Sequence, residues 1–359
     1  MMQERECDVL VVGAGPAGCS AAFFSKLLDE DNRREVILLE QLDNPKFVQY
    51  HAMCGEGVSE NLFKEISPLK PSHIIEKIRK TREYWPGDLV IETSMNGYII
   101  DRPPFLKGII DQYVNRGGNY IQDSLVDFVV KEREIKVKLR DGEIMKTKYV
   151  IAADGARSLI CKKLGVEGRV VPFIQYVVDK EPEHDTLIFE YDEKWEGDFK
   201  WVFPHGETTK IGYPHPKHRD REKIDGTILA KQARLVGFGG VRNNVYGNIL
   251  LVGDAACSAN PVTKGGIRPG MVSGRMAAEA VINNNPLEYN RKWKGSDFSS
   301  PLLLRAFNRL KEMSNQELER HMNPFRRGFN VFSTVKSVLF YREYLGLYKA
   351  YDLSNKVGW

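Results

Sequence analysis

The sequence predicts a mixed α/β (α+β) fold. Its parts are a Rossmann-type nucleotide-binding domain, a second domain built on an antiparallel sheet, and a helical C-terminal end. Three observations predict it. The apolar run Val9-Leu10-Val11-Val12 enters Gly13-Ala14-Gly15-Pro16-Ala17-Gly18, and an apolar helical pattern follows. Two later strand-like runs each end in an acidic turn, Ala153-Asp154-Gly155 and Gly253-Asp254-Ala255. Between those turns, residues 185–191 and 199–203 alternate in the manner of half-buried strands.

The first element is a strand of the length buried on both faces. Gly13 and Gly15 let the backbone turn tightly and approach a pyrophosphate. A helix opening at Pro16 and Ala17 directs free N–H groups and a partial positive charge at that anion. Gly18 lets helix and strand pack closely. Val36-Ile37-Leu38-Leu39 is a second strand, ending in Glu40 and Gln41. A carboxylate there accepts both ribose hydroxyls of an adenosine and repels a 2′-phosphate. One Gly-rich turn is weak evidence, but strand, turn, helix, strand and acid in register are specific.

The second half of the pattern completes a flavin site. Residues 149–153 form a strand entering the Asp154-Gly155 turn. Residues 248–252 form another, with Gly253-Asp254 at its carboxyl end, where open α/β sheets bind ligands. Asp254 there can bind a ribityl hydroxyl. Gly265-Gly266-Ile267 leads into a helix with Pro269 in its first turn. A helix N-terminus aimed at the N1 side of a reduced flavin stabilises its negative charge. Arg268 either adds a full charge there or is solvated. The ordered set predicts FAD as the cofactor. No second GxGxxG exists to bind a nicotinamide.

Composition narrows the rest. With 359 residues the chain buries a large core, and 42% hydrophobic with 28% charged residues is an ordinary globular balance. A net charge of +4 is too small over this length to argue for nucleic acid. Five scattered cysteines without a CxxC pair argue against a disulfide framework or a metal site and fit a reducing cytosol. The charged N-terminus is unlike a signal peptide, and no run of about 18 apolar residues occurs. The expected location is cytoplasmic.

Over roughly residues 7–285 the chain resembles the FAD-dependent oxidoreductases that share the glutathione-reductase and p-hydroxybenzoate-hydroxylase kind of fold. Within them it is most similar to the geranylgeranyl reductases, including archaeal enzymes that saturate isoprenoid chains of membrane lipids. Three segments carry the subfamily resemblance: Cys54-Gly55-Glu56-Gly57, then Asp101-Arg102-Pro103, then Phe199-Lys200-Trp201-Val202-Phe203-Pro204. The resemblance implies that Cys54 and Gly55 face the flavin, that Arg102 contacts FAD, and that the aromatic segment lines the substrate site. Pro269-Gly270 departs from the more usual small-residue start of the last FAD helix.

The implied activity is transfer of hydride from reduced FAD to an isoprenoid double bond, with protonation of the other carbon. Cys54 would position the alkene or supply the proton; a free Cys is otherwise commonly a small buried hydrophobe. Phe199, Trp201 and Phe203 share one strand face. They form either core packing or an aromatic wall for the isoprenoid chain. Pro204 would end that strand or mark an edge. Tyr213 and His215 are candidate proton donors or ordinary packing and surface residues. His51 is a candidate general acid or a structural histidine. The alternative activity is a flavin monooxygenase or hydroxylase of the same fold acting on an aromatic or polyene. A third reading is a non-catalytic flavin sensor or lipid carrier.

The expected FAD-binding domain takes residues 1–58, 99–165 and 240–285. The substrate sheet takes 59–98 and 166–239, with Gly197-Asp198 joining a hairpin and residues 210–213 forming a further strand. Residues 286–359 are expected to be helical and aromatic, with Phe325, Phe329, Phe332, Phe340, Tyr341, Tyr344 and Tyr348. Residues 300–359 hold ten Lys and Arg against five Asp and Glu. Such an end either rests on an anionic membrane or caps the substrate domain. The electron donor is external: ferredoxin, a quinol or loosely bound NADPH.

Overall fold

The computed structural model describes residues 4–132, 134–215, 222–326, 328 and 331–358, without the side chains of 331–334 and 336. Phe329 and the side chain of Phe332 therefore lie outside the described residues. Among the described residues, sixteen strands fall into two sheets of eight.

The first sheet has the spatial order Val245–Tyr246, Ile249–Leu251, Ile144–Ala152, Glu4–Val12, Val36–Glu40, Asn119–Gln122. From Ile249–Leu251 to Asn119–Gln122 every pair is parallel, with Val12 opposite both Leu39 and Ala152. All five residues of Val36–Glu40 are buried, which is why this strand reads as an unbroken apolar run. The hairpin Leu125–Lys131 with Glu134–Leu139 adds to this sheet through Ile144–Ala152.

Helices Pro16–Leu28 and Ile267–Ile282 pack together on one face of that sheet. Ser20 Oγ donates to the Met271 carbonyl at 2.6 Å. A Cβ on Gly274 would lie 2.2 Å from Ala17 O, so only glycine permits this approach. The contact brings the two helix N-termini to the carboxyl ends of the parallel strands, where an open sheet binds ligands.

The second sheet runs Thr227–Phe238, Arg169–Asp179, Thr208–Pro214, Lys200–His205, Thr186–Glu190, Ile74–Trp85, Leu89–Ile100, Gly57–Ser59. It is antiparallel except where Thr186–Glu190 lies parallel to Ile74–Trp85. The connection between Thr186–Glu190 and Lys200–His205 is longer than a tight hairpin, a correction to the sequence reading. It contains a 3₁₀ turn, Glu193–Trp195. Gly197, at φ +82, rests against the helix Pro301–Lys311, where a Cβ would lie 2.7 Å from Lys311 N. Lys264 pairs with Asp198 at 2.5 Å beside it. Loop closure here is set by docking onto the C-terminal helices, not by local turn chemistry.

Those helices are Pro286–Lys294, Pro301–Lys311, Asn315–Met322, Val331–Phe340 and Leu345–Val357. Ser314 caps Asn315–Met322 in a reciprocal box with Glu317. Leu303, Leu310, Met322 and Leu347 bury against Trp85, Leu89 and Ile91 of the second sheet. The helical end thus caps that sheet. No helix among the described residues is long and apolar enough to cross a membrane.

Candidate active site

A cavity of about 490 Å³ lies between the carboxyl ends of the parallel strands and one face of the second sheet. Its first wall is the nucleotide half. Gly13 takes φ +98, and a Cβ there would lie 2.5 Å from Ala153 O. A Cβ on Gly18 would lie 1.7 Å from Gly13 O. These two glycines serve the turn and its packing and stand behind the cavity wall. Gly15 differs. A Cβ there would come no nearer the protein than His51 Cε1 at 3.7 Å, so its bareness keeps space open in front of the helix. Gly15, Pro16 and Ala17 line the cavity. The helix Pro16–Leu28 has no side-chain cap on its first N–H groups.

Glu40 is buried and braced, accepting from Ala14 N at 2.7 Å and Leu42 N at 2.8 Å. Burial pushes its carboxyl pKa up, and these backbone donors oppose that shift. Gln41 follows and is exposed. Gly155 lines the cavity, but Asp154 stands beside it. Asp154 Oδ2 accepts from Ile160 N at 3.3 Å and so supports the start of the helix Leu159–Leu164. Its Oδ1 is buried without a protein partner.

Gly253 and Asp254 do line the cavity. A Cβ on Gly253 would lie 2.7 Å from Ala17 Cβ, so this glycine lets the second acidic turn meet the first helix. Burial pushes the Asp254 carboxyl up, while Arg234 and Arg102 pull it down. Gly265, Gly266 and Ile267 line the same wall, at the uncapped N-terminus of Ile267–Ile282, where a Cβ on Gly266 would lie 3.6 Å from Asp254 Oδ1. Arg268 is directed elsewhere. It is buried, forming a two-pronged pair with Glu65 through Nε at 2.7 Å and a terminal nitrogen at 2.6 Å. Neither a flavin-facing charge nor a solvated residue describes it.

Arg102 opens the helix Arg102–Val114 and is buried. Its Nε donates to His51 O at 2.6 Å, while one terminal nitrogen is buried without a protein partner. An unpartnered guanidinium nitrogen on the cavity wall suits an anionic or carbonyl acceptor on a ligand. Together with the uncapped helix ends and the space before Gly15, it fits a dinucleotide such as FAD.

His51 packs its ring on Phe47 at 4.3 Å. Burial, with Arg102 and Arg234 nearby, pushes its pKa down to about 2, which favours the neutral ring. Its backbone carbonyl, not its ring, serves the site.

Cys54 and Gly55 lie where the two halves meet. Cys54 is half-buried, and its Sγ accepts from Glu56 N at 3.3 Å. A Cβ on Gly55 would lie 2.8 Å from Phe203, which makes glycine a requirement for packing this loop under the aromatic strand. Phe199, Trp201 and Phe203 all line the cavity. Pro204 and Tyr213 do not. Strand alternation places them on the other face, where Tyr213 packs on Trp195 at 5.4 Å. Nor does Pro204 end its strand; the pairing continues to His205. His215 lies beyond, its N–H donating to Pro172 O at 2.7 Å.

Strand register explains the second wall. Glu83, Phe189, Trp201, Gly212, Gln175 and Gln232 stand opposite one another across six strands. They therefore form one row on one face. Gly212 is bare because the Trp201 indole lies across it. Tyr351 and Asn355 of the last helix close the far end of the cavity.

Sequence reading missed several members of the site. Lys210 is buried and pairs with Glu56, while also donating to the carbonyls of Ala52 at 3.3 Å and Cys54 at 3.1 Å. His205 Nε2 lies 3.3 Å from the same carboxylate. Burial alone would raise the Glu56 pKa; His205, Lys210 and Arg102 hold it below the ordinary value. Arg234 crosses the Tyr50 ring at 4.7 Å and faces the cavity. Burial opposes its charge, but Tyr50, Asp254 and Cys54 outweigh that and raise its pKa. The only signal for Lys210 was its alternation with Gly212, which has meaning only once the register is known.

Similarity to known proteins agrees with this geometry. Residues 7–188 match the model of the pyridine nucleotide-disulphide oxidoreductase family. A digeranylgeranylglycerophospholipid reductase of Picrophilus torridus is 30% identical over 316 residues, covering 77% of this chain and 78% of the relative. A second such reductase, from Methanopyrus kandleri, is 30% identical over 367 residues, covering 87% and 89%. In fold, the chain is similar to a geranylgeranyl bacteriochlorophyll reductase-like protein from Thermoplasma acidophilum. Their TM-score is 0.80 at 20% identity, covering 98% of this chain and all of that one.

Proposed function

The chain belongs to the digeranylgeranylglycerophospholipid reductase family, and from that membership we propose that it saturates carbon–carbon double bonds in the geranylgeranyl chains of a membrane lipid. It is an FAD-dependent oxidoreductase. The observation that carries the substrate assignment is the cavity itself. One wall presents two uncapped helix N-termini, and the other presents aromatic rings on a sheet face.

FAD supplies the hydride for such a reduction when bound. The chain's residues bind and orient. Gly15 and the helix at Pro16 receive the pyrophosphate, Glu40 the adenosine ribose, and Asp254 a ribityl hydroxyl. Arg102 and the N-terminus of Ile267–Ile282 offer donors and positive potential to the ring system. Phe199, Trp201 and Phe203 hold an apolar chain and exclude water, which strengthens each of these fields. Cys54, at the meeting of the two walls, orients the alkene or passes a proton.

The reductant comes from outside, since one dinucleotide motif is present; ferredoxin, a quinol and NADPH are the candidates. The lipid substrate also assigns a role to the helix Val331–Phe340. Val335, Val338, Leu339 and Phe340 are exposed there, with Arg342 following. An apolar face beside a basic residue suits the surface of an anionic bilayer.

The test is to reduce the yellow protein without oxygen, add a geranylgeranyl lipid and weigh the lipid by mass spectrometry. A gain in steps of two hydrogens, with return of flavin colour, is the expected result. No gain without oxygen, and one added oxygen atom in air, would replace the reductase reading with a hydroxylase.

A further inference from the structure

An isolated alkene is a weak base and a poor hydride acceptor, so its reduction requires an acid held close and kept protonated until transfer. Three carboxyl groups line the cavity: Glu56, Asp254 and Glu83. Glu56 is ion-paired with Lys210 and hydrogen-bonded to the Arg102 N–H at 3.2 Å, which fixes it as an acceptor. Asp254 stands in the field of Arg234 and Arg102. Glu83 differs from both, having no cationic partner among the described residues. The hydrogen bond it makes comes from Trp85 Nε1, to Oε2 at 3.1 Å. No hydrogen bond to its other oxygen is made among the described residues.

The surroundings of Glu83 are aromatic. Tyr191 stacks on Trp85 with ring centroids 3.8 Å apart. Tyr351 enters from the last helix and is bonded to His321 Nε2 at 2.9 Å. Tyr191, Tyr351 and, behind Trp85, His321 are the titratable groups facing this carboxyl. None of them is charged near neutrality. Burial pushes the two phenols well up and pushes His321 down to about 4. Glu83 also shares the cross-strand row with Phe189 and Trp201. Two strand spacings, about 10 Å, separate its backbone from that of Trp201. An isoprenoid chain laid across the aromatic wall runs directly toward it.

Resting on the reductase reading above, we infer that Glu83 is the catalytic acid that protonates the isoprenoid double bond. In each saturation the π bond breaks and two C–H bonds form. One takes the hydride supplied by reduced FAD, which is thereby oxidised; the other takes the Glu83 carboxyl proton. The alkene is reduced by two electrons, and the Glu83 carboxylate regains a proton from water. Burial pushes the Glu83 pKa up to about 7, which keeps the acid protonated in slightly acidic to neutral solution. The rate therefore falls as pH rises through about 7.

The test compares the wild-type protein with E83Q and E83D, each reduced without oxygen and mixed with a geranylgeranyl lipid. The expected result is that both variants keep bound flavin, while flavin reoxidation by lipid slows about 10²-fold or more in E83Q. E83D retains part of the rate, and E83Q loses the alkaline fall. Infrared titration of the protein gives a second readout. A carboxylic C=O band that disappears as pH rises through neutrality, and is missing from E83Q, supports the assignment. Wild-type turnover with an unchanged E83Q rate and pH profile overturns it, as does absence of that band. Failure of the parent reading is distinct: the wild-type protein itself would give no mass gain.

Discussion

Lys210 places its ammonium against the Glu56 carboxylate beneath the Cys54 loop, with both side chains almost wholly buried, at 2% and 1% exposure. The pair organises the junction of the two walls. Lys210 holds the carbonyls of Ala52 and Cys54, and Glu56 accepts from the Arg102 N–H and contacts His205. One ion pair thus fixes both the loop that carries Cys54 and the start of the helix that carries Arg102.

Removing one partner of such a pair leaves the other charge buried. Lys210→Met should therefore lower unfolding stability by about 3–5 kcal/mol in urea titrations. The double variant with Glu56→Gln should recover part of that loss, since no uncompensated charge remains. Flavin affinity, measured by absorbance after dialysis, should fall in the single variant because Arg102 loses its alignment. A single variant as stable as wild type would show that the pair does not organise the junction.

The nucleotide half was legible because its chemistry is local. A tight turn, an uncapped helix and an acid ending a strand each follow from adjacent residues, so Gly13 to Gly18 and Glu40 could be placed without tertiary knowledge. The alternation of Phe199, Trp201 and Phe203 was legible for the same reason. Residues whose roles depend on register or on distant contacts were not. Lys210 and Glu83 are ordinary charged strand residues until pairing puts one beneath the Cys54 loop and the other on the cavity wall. Asp154 and Asp254 look alike in sequence, yet one supports the turn before a short helix and the other faces the ligand space. Pro204 and Tyr213 lie off the cavity because strand alternation gives that face to their neighbours Phe203 and Gly212. Arg268 is claimed by Glu65, 203 residues away in sequence.

The bare surface of Gly212 gives a sharper test of the aromatic wall. A Cβ there would lie 2.0 Å from the Trp201 ring, too close for any adjustment short of moving the indole. Gly212→Ala should cost about 1–3 kcal/mol and displace Trp201 from the cavity face. FAD should still bind, because the nucleotide contacts are on the other wall. Lipid saturation should fall about 10-fold or more if Trp201 positions the chain, since small misplacements of a reacting group are costly. Equal turnover with full flavin content would reduce Trp201 to a packing residue.

Two groups beside Trp85, His321 and Glu83, should give opposite pH signatures. His321 is fully buried and uncharged, and its pKa falls from 6.5 to about 4. Between those values the unfolded chain binds a proton that the folded chain does not. The stability due to this group is therefore complete above 6.5 and is lost as pH falls. The slope is about 1.4 kcal/mol per pH unit, so His321→Gln should flatten the acid side of the stability profile by roughly 3 kcal/mol across the window. Glu83 runs the other way. Its pKa rises from 4.5 to about 7, so its stabilisation is present below 4.5 and lost as pH rises through about 7. Glu83→Gln should therefore steepen the loss of stability on acidification. Denaturant titrations at several pH values between 4 and 7 separate the two. Parallel profiles for both variants would mean that neither group is held in its uncharged form.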